Sequence, residues 1–529
     1  MGYGIVNLKR IIPSTLGAAI LIAALATSGC AGTAPDGNGA GNTGTTGNAG
    51  TAGAPDRENS RDLADRADYT ARLDRIIPQL LERYDVPGLA IALIQDGQPV
   101  WSGAYGYADR EDRRPMTVDT VCRAESISKS VTAWGVMKLV ESGDVALSTS
   151  ITELLPRGII QGSTFDESEI TVAMLLSNSS GLPLGTIGPP TEYEPGSEVP
   201  TPETFLSPDA RLVRPPGSGF LYSDVGFNLL QLVVREASGR PFHDYMHTQV
   251  LAPLEMAASD FEWRSTYVNS IATGYELDGD PVEPYVYPAA ASGGLFSTTR
   301  DLARFVAAEI RSDSPAIDEM HTARVEIPGL FGFVADSYGF GHFIETLPDG
   351  RTAVWHGGQG HGWMTHFHAV PESGDGIVIV TNSQRSWPLM AEVLSEWSRW
   401  AGLGSVQFSR VVHASTAVTV LTAVVLVLAA THIVGLARGL QTGRRRWYRF
   451  RDGPVLGRVI RIFAGLGLAV ILVQRIAAPY VFESSIFPTL VGWMAAAVVV
   501  LALALIGSGV LPLRGTVERS RVPPQRHRD

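Results

Sequence analysis

Cys122-Arg123-Ala124-Glu125-Ser126-Ile127-Ser128-Lys129-Ser130, followed by the apolar run Val131 to Val140, is the stretch around which the chain is organised. Ser126 and Lys129 stand three residues apart at the expected start of a helix, so both side chains leave one face about one turn apart. The spacing sets an amine beside a hydroxyl. A serine becomes a useful nucleophile only when a neighbour takes its proton, and a lysine can do so once burial or nearby positive charge lowers its pKa. Val131, Ala133, Trp134, Val136, Met137, Leu139 and Val140 occupy nearly every side of the helix, which therefore reads as a core helix and supplies that burial. Gly143 is its expected C-terminal cap. Ser-x-x-Lys alone is a loose pattern that chance provides in many chains, so its meaning depends on what accompanies it.

Upstream, Gly88 to Ile94 is a short apolar run, Asp96-Gly97 a hairpin signal, and Val100 to Tyr107 a second strand. Downstream, Met364 to Val370, a turn at Gly374-Asp375-Gly376 and Ile377 to Thr381 form the mirror image, followed by a helical stretch from Leu389 to Trp400. Hairpins at both ends predict one antiparallel sheet closed by both termini of the domain. Between them, residues 145 to 325 alternate short helical patterns with long Pro- and Gly-rich connections such as Pro183 to Pro202.

Two further stretches carry chemistry. Pro216-Gly217-Ser218-Gly219-Phe220-Leu221-Tyr222-Ser223-Asp224 places a tyrosine on a loop just before the helical run Phe227 to Ala237, and Trp355-His356-Gly357-Gly358-Gln359-Gly360 places a histidine and glycines at the start of the C-terminal hairpin. A tyrosine hydroxyl can relay a proton between nucleophile and leaving group, and glycines allow a strand edge to approach a substrate closely.

Taken in order, Ser126-x-x-Lys129, Tyr222-Ser223-Asp224 and His356-Gly357-Gly358 resemble the serine beta-lactamase and DD-peptidase superfamily, in its class C, esterase and low-molecular-weight penicillin-binding branch. The likeness runs from about Pro78 to Ala401. Val86-Pro87-Gly88, Leu175 to Pro183 and Ser292-Gly293-Gly294-Leu295-Phe296-Ser297 add to it. The resemblance implies an α/β (α+β) fold, an antiparallel sheet flanked by helices plus a helical subdomain. It also implies that Ser126 attacks a carbonyl to form an acyl-enzyme, with Lys129 and Tyr222 sharing the proton transfers. The backbone N–H groups of Ser126 and Gln359 would then hold the oxyanion, with the positive end of the Ser126 helix aimed at it. Asp224, His356, Gly358 and Gln359 are the expected substrate-binding positions.

The departures bear on substrate. The family's second motif usually ends in Asn, so Asp224 replaces a group that can donate by one that, when ionised, only accepts. The third motif has His356 where beta-lactamases carry a lysine, and a histidine is only partly charged near neutral pH. Asn178 stands where related sequences often show a histidine. This version is closer to the esterases and peptidases of the fold than to its beta-lactamases. The leading expectation is a serine hydrolase acting on a small molecule or cell-wall peptide; the alternative is a penicillin-recognising or peptide-binding sensor or module without turnover.

No cofactor and no metal are expected. His356, His361, His366 and His368 could be read as a metal site, since His366 and His368 point the same way on a strand, but no His-Glu-x-x-His and no carboxylate partner stand nearby in the sequence. Cys122 reads as a small buried hydrophobe, and Gly-x-Ser-x-Gly does not occur.

The chain has 529 residues, 45% of them hydrophobic, with a mean hydropathy of +0.10, which directs attention to membrane segments. Residues 1–30 have the build of an export signal: Lys9 and Arg10, an apolar stretch from Ile11 to Ala26, then Thr27-Ser28-Gly29-Cys30. Gly29-Cys30 resembles the end of a bacterial lipoprotein signal, which makes Cys30 the candidate lipidation site; ordinary cleavage and a retained anchor are the alternatives. Residues 31–58, mostly Gly, Ala, Thr and Asn at first, are expected to be a tether and 59–404 the hydrolase domain. Ala414 to Ala437, Phe463 to Tyr480 (or from nearer Val455) and Leu490 to Leu513 each approach the length of a membrane span, so 405–513 is expected to hold three transmembrane helices. Arginines crowd the loop from Arg438 to Arg461 and the tail, residues 514–529. By the positive-inside rule both are cytoplasmic and Ser126 faces outward, with the basic loop on anionic membrane lipids. The formal net charge of −11 argues against a nucleic-acid partner.

Overall fold

The structure, a computed structural model, describes residues 55–511 apart from 157, 163, 330, 446–454, 477–485 and 488–489. Cys30, the expected signal, the tail and the centre of the arginine loop lie outside the described residues. The chain divides into two compact units, Asp56–Val412 and a second that includes His413–Asp529.

The first unit is built on a mixed-length antiparallel sheet whose strands are ordered β3-β2-β1-β13-β12-β11-β10-β9-β8. The strands are β1 (Gly88–Gln95), β2 (Gln98–Asp109), β3 (Arg114–Pro115), β8 (Val325–Glu326), β9 (Ser337–Tyr338), β10 (Phe343–Thr346), β11 (Thr352–Gly360), β12 (Trp363–Val370) and β13 (Asp375–Thr381). Two short pairs lie outside it: β4 (Cys122–Arg123) with β7 (Phe296–Ser297), and β5 (Gly274–Tyr275) with β6 (Pro281–Val282). The two hairpins expected at the ends of the domain are joined as predicted, because β1 pairs antiparallel with β13 from Leu89↔Thr381 to Ile94↔Gly376. Strand β1 is buried along almost its whole length, which explains why it reads as a continuous apolar run rather than as an alternation.

Six helices of this unit concern the site: α1 (Pro55–Tyr84), α2 (Ile127–Ser142), α3 (Asp224–Ser238), α4 (Thr299–Arg311), α5 (Pro315–Met320) and α6 (Trp387–Trp400). Helix α1 is a long element that the sequence reading did not single out. It packs on α6 through a Tyr69–Trp400 stack at 4.4 Å and the Arg72–Glu396 and Arg83–Glu392 ion pairs. Alternation on β12 shows the layers: Phe367 meets Phe305 of α4 on one face, while His366 and His368 meet Trp387 and Trp397 of α6 on the other. The sheet is therefore covered by helices on both faces, an α/β sandwich with a helical region between β4 and β7.

Helix α2 is the buried helix that its composition predicts. From Ile127 to Met137 every residue is buried, and Gly143 ends it in the left-handed conformation at φ 81°, its N–H bonded to the carbonyls of Leu139 and Val140. Truncating one of its fully buried side chains, such as Val136 or Met137, removes about 2–5 kcal/mol of packing by analogy with other cores.

The second unit contains three helices long and apolar enough to cross a membrane, namely α7 (Arg410–Gln441), α8 (Val455–Ile476) and α9 (Leu490–Val510), among the described residues. α8 and α9 approach closely at small residues, since a Cβ on Gly465 would meet the carbonyl oxygen of Ala502 at 2.8 Å.

Candidate active site

Ser126 occupies the N-cap of α2 with helical dihedrals of φ −64° and ψ −7°, and the residue before it, Glu125, takes φ +50°. A left-handed conformation costs a non-glycine residue on the order of 1 kcal/mol or more and persists only where the surroundings hold it. Here they do. Glu125 Oε1 accepts from Arg123 Nε at 2.7 Å and from the Tyr285 hydroxyl at 3.0 Å, while Arg123 donates to the Tyr285 and Gly293 carbonyls and lies 4.0 Å from the Tyr285 ring centroid. Both charged side chains are almost fully buried. Arg123 and Glu125 were missed as functional residues by the sequence reading; two charges directly before an apolar helix were the available signal.

The three-residue spacing does place the amine beside the hydroxyl, with Lys129 Nζ donating to Ser126 Oγ at 3.0 Å. The same nitrogen donates to the Ser292 carbonyl at 2.8 Å and lies 2.6 Å from Asp224 Oδ1. Three acceptors thus surround a nitrogen that carries three hydrogens only as an ammonium. Burial of Lys129 is complete and pulls its pKa down, as expected from the sequence, but the Asp224 carboxylate, with Tyr222 beside it, outweighs burial and holds it above the usual lysine value. The expectation that burial alone frees the amine is therefore corrected. Asp224, an expected substrate-binding position, pairs with Lys129, because the start of α3 brings its carboxylate across to the buried nitrogen.

Tyr222 belongs to the same cluster. Its ring centroid lies 4.8 Å from Lys129 Nζ, and its hydroxyl interacts with Ser126 and Lys129. Burial raises the Tyr222 pKa and the Lys129 charge only partly opposes this, so the phenol stays protonated. The loop that presents it is fixed at Ser223. The Ser223 hydroxyl caps α3 by accepting from Gly226 N at 2.9 Å and donates to the Pro183 carbonyl, and its own N–H donates to Asn178 Oδ1 at 3.0 Å. Asn178 is in this way a loop anchor.

Strand β10 pairs with β11 only over Thr352 to Trp355, so from His356 onward that edge of β11 is not covered by β10. Here the strand meets the turn before Ser126. A Cβ on Gly358 would lie 2.3 Å from the Ala124 carbonyl oxygen, and one on Gly360 would lie 2.1 Å from the Glu125 carboxyl carbon. At these two positions only glycine leaves room for the turn before Ser126. Gln359 turns its side chain to the opposite face, where its Oε1 accepts from Trp387 Nε1 at 3.1 Å.

His356 differs from expectation. Its ring is fully buried, with Nδ1 donating to the Gly357 carbonyl at 2.9 Å and Nε2 accepting from the Tyr338 hydroxyl at 3.1 Å. Burial first, and the Lys129 charge second, push its pKa well below the ordinary histidine value, so the ring is neutral near pH 7. With both nitrogens engaged, His356 is a packing and hydrogen-bonding residue behind Tyr222 and not a partly charged site for an anionic group. Of the other three histidines weighed with it as a metal site, His361, His366 and His368, each has its own partners and the three do not converge. His366 Nε2 and His368 Nδ1 lie 3.4 Å apart, His368 pairs with buried Glu345, and His361 is held at the hairpin turn by Glu192 and Glu276 at 2.8 Å each. Cys122 is buried, as expected.

Comparison with known proteins finds similarity over the first unit. A family profile described as Beta-lactamase matches residues 73–393. D-alanyl-D-alanine-carboxypeptidase/endopeptidase AmpH of Escherichia coli (strain K12) is 27% identical over 327 residues, a match that spans 59% of this chain and 83% of AmpH. Esterase EstB of Burkholderia gladioli is 27% identical over 350 residues, spanning 57% of this chain and 88% of EstB. The octameric penicillin-binding protein homologue from Pyrococcus abyssi superposes with a TM-score of 0.53 at 27% identity, over 63% of this chain and 78% of that one.

Proposed function

Because this chain belongs to the beta-lactamase family, we propose that residues 59–404 are a serine hydrolase that cleaves an ester, amide or D-amino-acid peptide through an acyl-serine intermediate. The observation that carries this reading is the contact of Ser126 Oγ with Lys129 Nζ at 3.0 Å, with Tyr222 and Asp224 around the same nitrogen. In acylation, Lys129 passes one proton to Asp224 and takes that of Ser126 as Oγ bonds to the substrate carbonyl carbon. The backbone N–H groups of Ser126 and Gln359 hold the oxyanion, next to the N-terminus of α2. When the intermediate collapses, the bond to the leaving group breaks, the leaving group takes the Tyr222 proton, and Asp224 restores Tyr222 by way of Lys129. Water then attacks the acyl-enzyme along the same route and frees Ser126. AmpH and EstB, a peptidase and an esterase by name, support this range of substrates.

The chain is further proposed to sit in the cell membrane through α7, α8 and α9, with the hydrolase domain outside the cytoplasm and the arginine loop and tail inside. Their length and apolarity, together with the arginine distribution, support that topology. Residues 1–30 then serve as export signal, lipidated at Cys30, and 31–58 as the tether.

One experiment tests chemistry and placement together. A membrane-impermeant fluorophosphonate added to intact spheroplasts is expected to label the wild-type chain and not Ser126→Ala. Equal labelling of both would remove Ser126 as nucleophile, and labelling only after lysis would reverse the topology.

The charge state of Lys129 gives a second expected result. Asp224→Asn restores the family's usual residue and removes the main influence opposing burial, so the Lys129 pKa falls. Without the carboxylate to take its proton, Lys129 must lose that proton to solvent before it can accept that of Ser126, so kcat/KM for a p-nitrophenyl ester falls about a hundredfold or more at pH 7 and recovers as the pH rises through the lowered pKa of the amine. An unchanged pH profile would mean that Asp224 neither takes the proton of Lys129 nor sets its protonation.

A further inference from the structure

Glu309, near the end of α4, His321, directly after α5, and His342, in the turn between β9 and β10, converge behind the helix that carries Ser126 and Lys129. Their ligating atoms all lie within 4.8 Å of one another. Glu309 and His342 have fully buried side chains, and they meet through Oε1 and Nε2 at 2.8 Å. The remaining Glu309 oxygen and His321 Nε2 are buried without a hydrogen-bond partner. The rings of His321 and His342 meet edge to face at 5.2 Å.

The tautomer of His342 decides what the cluster can hold. Its Nδ1 lies 2.9 Å from the Phe340 carbonyl, which can only accept, so the hydrogen is on Nδ1 and the Nε2 of a neutral ring presents a lone pair. That lone pair faces a carboxylate oxygen. Two acceptors in contact in a dry interior need a positive charge between them, either a proton or a metal ion. A proton satisfies the Glu309–His342 pair alone and leaves the second carboxylate oxygen and His321 Nε2 without partners. His321 Nε2, buried with no partner against it, can likewise offer a lone pair.

We propose that Glu309, His321 and His342 bind a divalent first-row metal ion, Zn²⁺ foremost, as a structural staple. Two imidazoles and one carboxylate are a known zinc donor set, and a fourth position is left for water. Zinc-bound donors at about 2.0–2.1 Å and a tetrahedral angle stand roughly 3.3 Å apart, so the ion needs the Glu309–His342 contact to open by a few tenths of an ångström. The hydrogen bond from Nδ1 to the Phe340 carbonyl is the kind of outer contact that orients a ligating histidine. The ion would tie α4 and the end of α5 to the 339–342 turn. That turn in turn holds α2, since Gly341 accepts from the Ser130 hydroxyl at 2.7 Å and donates to the Leu176 carbonyl.

The test uses the full chain purified in detergent from zinc-replete medium. Elemental analysis is expected to find about one zinc per chain that survives gel filtration and is lost in Glu309→Gln and in His321→Ala. Stripping with a strong chelator lowers the melting temperature by about 5 °C or more, zinc restores it, and neither variant responds. Should both variants fold poorly, Co²⁺ added to the stripped wild type gives the visible bands of a tetrahedral site. A metal-free wild type whose melting temperature ignores Zn²⁺ and which gives no Co²⁺ bands overturns the proposal in favour of a buried imidazolium–carboxylate pair or a bridging water. Equal zinc in the wild type and both variants also overturns it, by placing the ion elsewhere.

Discussion

Ser126→Ala and Lys129→Ala are each expected to lower ester turnover by about four powers of ten or more, and the double variant to be little worse than either, since residues that act as one unit lose their effect together. The physical basis is the 3.0 Å contact between Oγ and Nζ inside a closed set of acceptors. Without Ser126 there is no acyl-enzyme; without Lys129 the proton of Ser126 has no path to Asp224, which has been placed against the amine. Steady-state kinetics with a p-nitrophenyl ester and circular dichroism of each variant check it. Additive losses in the double variant would show that the two side chains act separately, and the proposed proton path would fall.

Tyr222→Phe is expected to cost about a hundred- to ten-thousand-fold, the range usual for one general acid–base group. The loss should depend on the substrate. A phenol kept protonated by burial is suited to donating to the leaving group, so a poor leaving group such as an amide needs it more than p-nitrophenolate, which leaves without help. Comparing the two substrates on the wild type and the variant measures this difference. An equal loss on both would mean that Tyr222 positions Ser126 or Lys129 and does not protonate the leaving group. The ring stacks with Phe343 at 6.2 Å and Phe331 at 6.0 Å, contacts that Tyr222→Phe keeps, so the comparison reads the hydroxyl alone.

Much of the architecture was legible from local pattern. The core helix after Ser126 with its glycine cap, the two end hairpins and the three apolar helices all follow from periodicity and turn chemistry within windows of ten to twenty residues, which is the range over which backbone geometry is set. The resemblance of the three motifs added the order of the site. Helix α1 escaped because its apolar positions, Tyr69, Leu73, Ile77, Leu80 and Leu81, are spaced among many charges and begin beside a low-complexity stretch.

What the sequence determined by itself is which groups could meet: a serine one helical turn from a lysine, a tyrosine at a loop end, glycines on a strand edge. Only the tertiary structure decided their charge. Lys129 is surrounded by Asp224 and Tyr222, which override the burial that its own helix provides, while His356 is buried with both nitrogens bonded and stays neutral. Arg123 and Glu125, two residues apart in sequence, support the strained turn only because Tyr285 and Gly293 come from more than 150 positions away. Glu309, His321 and His342 show no motif spacing at all. Protonation and metal affinity depend on distances through space and on loss of water, and neither quantity is encoded in the spacing of residues along the chain.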